Sequence, residues 1–260
     1  MKTLTSFAFS LIFIFSLQAQ SAVEGLKLGL QISPTVSWIS SNDNRIESTG
    51  DNGGLKIGIM AEKYFGENYA FVGAFSFALD QGGTLRYEYG GNFLPKSELS
   101  NPNYNKGQKP LPEDVEITYH MDYLEVMGGL RLQTNPIGRF QIYTELPLLG
   151  VGLVTKSRGD ISSSGVNTED ERIGDDMKNL ILSWGAGAGA DISLGDNLVL
   201  TGGIFFQQSL TDVTRDKGNF AFDLLDDQGT SDPFDDTYET QEENSRGKLG
   251  NLTFRIGIKF

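Results

Sequence analysis

The chain ends in "GNLTFRIGIKF", Gly250 to Phe260. Leu252, Phe254, Ile256, Ile258 and Phe260 are apolar, and Asn251, Thr253, Arg255, Gly257 and Lys259 stand between them. Successive side chains of a strand point to opposite faces. The segment therefore reads as a β-strand with one greasy and one wet face, carried to the last residue. A chain terminus in water is usually frayed and polar, so a closing phenylalanine asks what solvent surrounds the strand.

The same period of two recurs along the chain. Leu26, Leu28, Leu30, Ile32, Val36 and Trp38 share one face of the first segment, opposite Lys27, Gln31, Ser33, Thr35 and Ser37. Further alternating segments begin near Leu55, Tyr69, Tyr123, Phe140, Leu180 and Leu198. With the terminal stretch they make eight strands, and no segment after residue 22 carries a helical stripe. Short connections at 66–68, 133–139 and 193–197 alternate with long ones expected at 40–52, 81–116, 157–177 and 211–247. Up-and-down pairing then puts short turns at one end and long loops at the other. That is the plan of an outer-membrane barrel, with periplasmic turns and extracellular loops.

In hydrocarbon every backbone polar group needs an internal partner, so strands span only as a closed barrel. The predicted fold is thus all-β: an eight-stranded antiparallel up-and-down transmembrane β-barrel. Gly185, Gly187 and Gly189 suit a crowded lumen, and Trp38, Tyr64, Phe65, Tyr69, Phe140 and Phe260 suit interfacial girdles.

Composition agrees. The 260 residues include 32 Gly, 8 Pro and no Cys, which leaves no disulfide framework or thiolate metal site. The net charge of −13 argues against nucleic acid as a partner. Residues 211–246 hold eleven acidic and three basic residues, so much of that charge belongs to one loop. The first 22 residues read as a secretory signal peptide: Lys2, an apolar run from Phe7 to Leu17, then small residues that place cleavage after Ala19 or Ala22. Residues 23–260 form the single barrel domain of this reading, located in the outer membrane of a Gram-negative bacterium.

Three stretches carry a resemblance: "LGLQISPTVSW" (28–38), "YLEVMGGLRLQ" (123–133) and "GAGADISLGDNLVLTGGIFFQQSLTDV" (187–213). Together they resemble the PorT-like outer-membrane β-barrel family of Bacteroidetes-type bacteria. The resemblance implies a barrel of the same plan and, for one member, a place in type IX secretion. The chain departs from the family pattern at Met127-Gly128-Gly129, where Pro-Leu-Leu is customary, and at "SLTDV". The closing Phe254, Ile256, Ile258 and Phe260 are similar to the signal read by the outer-membrane assembly machinery.

Candidate sites follow from the wet faces. Glu62, Glu125, Arg131, Glu145, Asp191 and Arg255, with Lys27 and Lys56, point into the lumen of such a barrel and need partners there. In the fourth loop Asp226, Asp227, Asp232, Asp235 and Asp236 offer oxygen ligands of the kind Ca²⁺ takes, although their spacing does not match an EF-hand. No other cofactor is indicated. His120 and Asp122, two residues apart, share a strand face at the rim.

The primary reading is a structural or surface-interaction protein acting through its extracellular loops, neither a general porin nor an enzyme. Its expected partners are outer-membrane lipid, the assembly machinery and an extracellular or envelope protein. Three alternatives stay open: an exported lipocalin-like barrel with an apolar ligand, a rim enzyme using His120, and a PorT-like secretion component.

Overall fold

Alternation becomes strand pairing along nearly the whole chain. The computed structural model describes residues 25–195, 197–215, 218–226 and 237–260; the expected signal peptide lies outside them. The strands are β1 (Leu26–Ser40), β2 (Ile46–Gly66), β3 (Tyr69–Tyr87), β4 (Gly91–Asn92), β5 (Val115–Gln133), β6 (Phe140–Ser163), β7 (Val166–Arg172), β8 (Leu180–Ser193), β9 (Val199–Ser209), β10 (Asn219–Asp226), β11 (Thr237–Glu242) and β12 (Lys248–Lys259). Eight of them form a ring in the order β5-β3-β2-β1-β12-β9-β8-β6, and β5 pairs with β6 to close it. All pairs are antiparallel, and the terminal strand seals the seam by pairing Lys259 with Gly29 and Lys248 with Ser40.

The two faces behave as two solvents require. Along β1, residues 31, 33, 35 and 37 are buried, while Leu30, Ile32 and Val36 point outward and are exposed. The exposed apolar belt runs round the ring through Ile57, Phe77, Val126, Leu153, Trp184, Ile204, Phe254 and Ile256. The buried residues of the same strands include Lys56, Glu62, Glu125, Arg131, Glu145, Asp191 and Arg255. Such an arrangement is inverted relative to a soluble protein and fits lipid outside. It does not fit a lipocalin, which keeps an apolar pocket inside and a polar surface outside.

The outer connections differ from expectation. The first is five residues, 41–45, not the long loop expected at 40–52, because β2 continues beyond the membrane and pairs Glu47 with Arg86 of β3. In the third, β6 runs on to Ser163 and folds back as β7, pairing Ser163 with Val166. Pairing of Thr84–Tyr87 with Val115–Thr118 extends β3 and β5 above the membrane, at both ends of the connection expected at 81–116. Residues 94–114, within the long connection expected at 81–116, bury Leu94, Leu99 and Leu111. A small sheet, β11-β10-β4, lies over this region.

A cluster that includes Tyr87, Phe93, Leu111, Ile117, Tyr119, Ile161, Val213 and Phe220 fills the outer end. Phe93 stacks on Tyr87 at 4.0 Å and meets Phe220 edge-on at 5.4 Å. Two buried carboxylates clasp the 94–114 segment: Asp176 accepts from the Ser97 amide at 2.9 Å and the Ser97 hydroxyl at 2.6 Å, and Glu171 accepts from the Ser100 amide at 2.9 Å.

Candidate functional site: a filled lumen and an acidic rim

The inner half of the lumen holds the charges. Arg131, on β5, reaches Glu62 on β2 at 2.7 Å, Glu145 on β6 at 2.5 Å and Asp191 on β8 at 3.2 Å. Arg255 pairs with Glu145 at 2.9 Å. Lys259 joins Glu62 at 2.9 Å and Asp191 at 2.5 Å. Glu125 stands apart from this set and pairs with Lys56 at 2.9 Å, while Gln207 bridges both: its amide donates to Glu125 and its carbonyl accepts from Lys56. Four carboxylates thus face four cations, and the lumen is neutral. A buried charge left without a partner is costly, so neutrality is a condition of filling a narrow barrel with ions.

The six lumen residues named from the sequence therefore all lie inside, as two connected groups. Lys259 and Gln207 complete them. Strict alternation already put Lys259 on the inner face with Arg255, but its partners depend on barrel register, which one sequence does not show. Aromatic rings cover the guanidinium groups: Arg131 lies 3.7 Å from the Tyr143 ring centroid and Arg255 3.8 Å from that of Phe205. Lys27 sits at the inner mouth, 4.9 Å from the Tyr64 ring. Tyr64 is a correction to the girdle reading. Its hydroxyl donates to Glu62 at 2.9 Å, so it belongs to the polar mouth and not to the lipid interface. Gly187 and Gly189 give the rings room: a Cβ on Gly187 would enter the Phe205 ring, and one on Gly189 would meet the Tyr143 hydroxyl.

His120 and Asp122 lie on the outer wall at the rim, with Asp80, Lys156, Arg158, Asp160, Glu169 and Asp170 around a groove of about 410 Å³. His120 Nδ1 lies 2.6 Å from Asp80 and Nε2 3.3 Å from Asp160. Asp122 accepts the Asp80 amide at 2.9 Å, not a bond from His120. No serine hydroxyl bonds the imidazole among the described residues. Of the loop-four aspartates, Asp227, Asp232, Asp235 and Asp236 lie outside the described residues, and Asp226 ends β10. Phe254, Ile256 and Ile258 occupy the lipid face.

Charge is divided by compartment. The chain has 34 acidic and 21 basic residues. Among the described residues the lumen takes four of each, and the inner turns and strand ends take Glu67 against Lys27, Lys63 and Arg139. The other described residues, on the outer rim and its connections, include 22 acidic and 12 basic ones, a net of −10. Burial by the surrounding loops holds the rim carboxyls of Asp176 and Glu243 above the usual carboxylate range, whereas the Arg45 guanidinium beside Asp43 holds its carboxyl below it.

Residues 18–215 match the family described as outer membrane protein beta-barrel domain. No curated protein matches the chain. Among solved structures, Neisserial surface protein A is 9% identical, with 91% of this chain and 98% of that chain covered and a TM-score of 0.38. Ail, the attachment invasion locus protein of Yersinia pestis, is 14% identical over 90% and 98%, with a TM-score of 0.36. OprG from Pseudomonas aeruginosa is 11% identical over 91% and 96%, with a TM-score of 0.41.

Proposed function

The chain belongs to the outer membrane protein beta-barrel domain family, and on that premise we propose that it is a sealed barrel whose work is done by its outer surface. The observation that carries this reading is the filled interior. Ion pairs occupy the inner half of the lumen and an apolar core closes the outer half. An eight-stranded barrel has room only for its own side chains, and here both layers are complete. A solute would have to displace four ion-paired carboxylates and then a packed aromatic cluster. The outer rim, by contrast, projects beyond the membrane on β2, β3, β5, β6 and β7, and its described residues carry a net negative charge. A surface of that kind favours a cationic partner and speeds its encounter at low salt. Neither the His120 cluster nor the loop-four aspartates is needed for this role.

The test is complementation of a deletion strain. A chain with Glu98→Gln, Glu113→Gln and Asp175→Asn, all exposed on the rim, is expected to fold and yet restore the wild-type surface phenotype only partly. Full restoration by the rim variant, with loss in a folded lumen variant such as Lys56→Met/Glu125→Gln, would reverse the assignment. The PorT-like reading predicts a different readout, failure of type IX export in the deletion strain.

A further inference from the structure

The two ion-paired groups of the lumen do not touch. Lys56, Glu125 and Gln207 make one, and Arg131, Arg255 and Lys259 with their carboxylates make the other. Among the described residues no hydrogen bond or ion pair joins them. Between them lies a cavity of about 20 Å³, lined by Lys56 and Gln207 of the first group, Arg255 of the second, and Gln31 and Ser33 of β1.

Its wall holds hydrogen-bonding capacity that nothing in the chain uses. Gln31 is 6% exposed and Ser33 1%, yet Gln31 Oε1 and Ser33 Oγ have no partner among the described residues. Lys56 Nζ carries three protons and gives one to Glu125 and one to Gln207, which leaves a third. Arg255 donates from Nη1, to Glu145, and its Nε and Nη2 meet no acceptor among the described residues. All four side chains are buried, so bulk solvent does not reach them. A polar group buried without a hydrogen bond is costly.

The chemistry of the wall selects what fits. Gln31 Oε1 only accepts, Lys56 and Arg255 only donate, and the Ser33 hydroxyl does both. An anion would leave the Gln31 carbonyl unpaired and add a charge where four carboxylates already face four cations. A cation would sit against Lys56 and Arg255. An apolar guest would satisfy none of them. Water both donates and accepts, and one molecule needs about 10–15 Å³ by the same measure, so the cavity has room for one.

We propose that this cavity binds a single internal water, which donates to Gln31 Oε1, meets the Ser33 hydroxyl and accepts from Lys56 and Arg255. The water joins the two ion-paired groups into one network along the lumen. One enclosed molecule is no path for ions, and the site is independent of what the rim binds: a barrel without this water would still be sealed.

The test is a high-resolution crystal structure of the folded barrel, with further crystals soaked in rubidium bromide and measured above both absorption edges, so that either ion would give an anomalous peak. One peak without anomalous signal is expected in the cavity, within hydrogen-bond distance of Gln31 Oε1, Ser33 Oγ, Lys56 and Arg255. Ser33→Val, which removes the hydroxyl and fills the space, should lose the peak and still fold, as an unboiled gel would show; Gln31→Leu is read instead if it does not. Absence of density there in the wild type, an anomalous peak, a peak bonded to only one of the two ion-paired groups, or a peak unchanged in the folded variant would overturn it.

Discussion

Replacing Arg131 with Met should expose how the lumen is balanced. Arg131 is 1% exposed and touches three carboxylates. With it gone, Glu62 and Asp191 still share Lys259, and Glu145 still has Arg255. No carboxylate is stranded, but four acids then face three cations, and one negative charge is uncompensated. Removing one partner of a buried pair costs about 3–5 kcal/mol. The folding constant should therefore fall by roughly two to three and a half powers of ten. Adding Glu145→Gln restores three against three, so Arg131→Met/Glu145→Gln should recover a large part of the loss. Urea titration in lipid vesicles would measure both, read by the fluorescence of Trp184, which faces the lipid. A single mutant within 1 kcal/mol of wild type, or a double mutant no more stable than the single, would refute the idea that charge neutrality organises the lumen.

Three further outcomes are expected. Gly189→Val should abolish the folded band on an unboiled gel, because its Cβ would collide with the Gly202 carbonyl and Tyr143, whereas Gly73→Ala, with its nearest neighbour 3.7 Å away, should fold normally. The Asp176 carboxyl is held above its unfolded value by burial, so the folded state binds that proton more tightly. Its contribution to stability is greatest at and below the usual carboxylate range and is lost as pH rises through the raised value. Amide exchange at Lys96 and Ser97, corrected for intrinsic rates, should show protection falling over that window, and Asp176→Asn should remove the dependence. Deleting Phe260 should lower the amount of folded barrel in the outer membrane without changing synthesis, as quantitative blotting of membrane fractions would show; unchanged assembly would remove the closing residues from the assembly signal.

The spanning parts of the fold were legible because lipid and lumen impose opposite demands on neighbouring residues. Ile57 and Lys56, or Ile256 and Arg255, differ so sharply that the faces declare themselves. Above the membrane that contrast vanishes. Ser48 to Gly54 of β2 are small or polar on both faces, so the strand there reads as a loop. The same loss of contrast hid β7, where Asn167, Thr168, Glu169 and Asp170 follow one another without an apolar row. Leu94, Leu99 and Leu111 gave no periodic signal, being spaced by irregular chain, and their burial is a tertiary event. The inward direction of Glu62, Arg131 and Asp191 followed from alternation, but their meeting across the lumen depends on strand stagger. The groove combines residues of four strands, and the meeting of His120 with Asp80 and Asp160 depends on strand pairing that the spacing of His120 and Asp122 does not reveal.

The most direct measurement is the electrical conductance of the purified barrel in a planar lipid bilayer, with folding verified beforehand by the shift between unboiled and boiled gels. The filled lumen predicts a flat current trace across the usual voltage range at high salt. Reproducible single-channel steps from the folded wild-type protein would contradict the account, since ions would then be passing where Arg131, Lys259 and the outer aromatic cluster are placed.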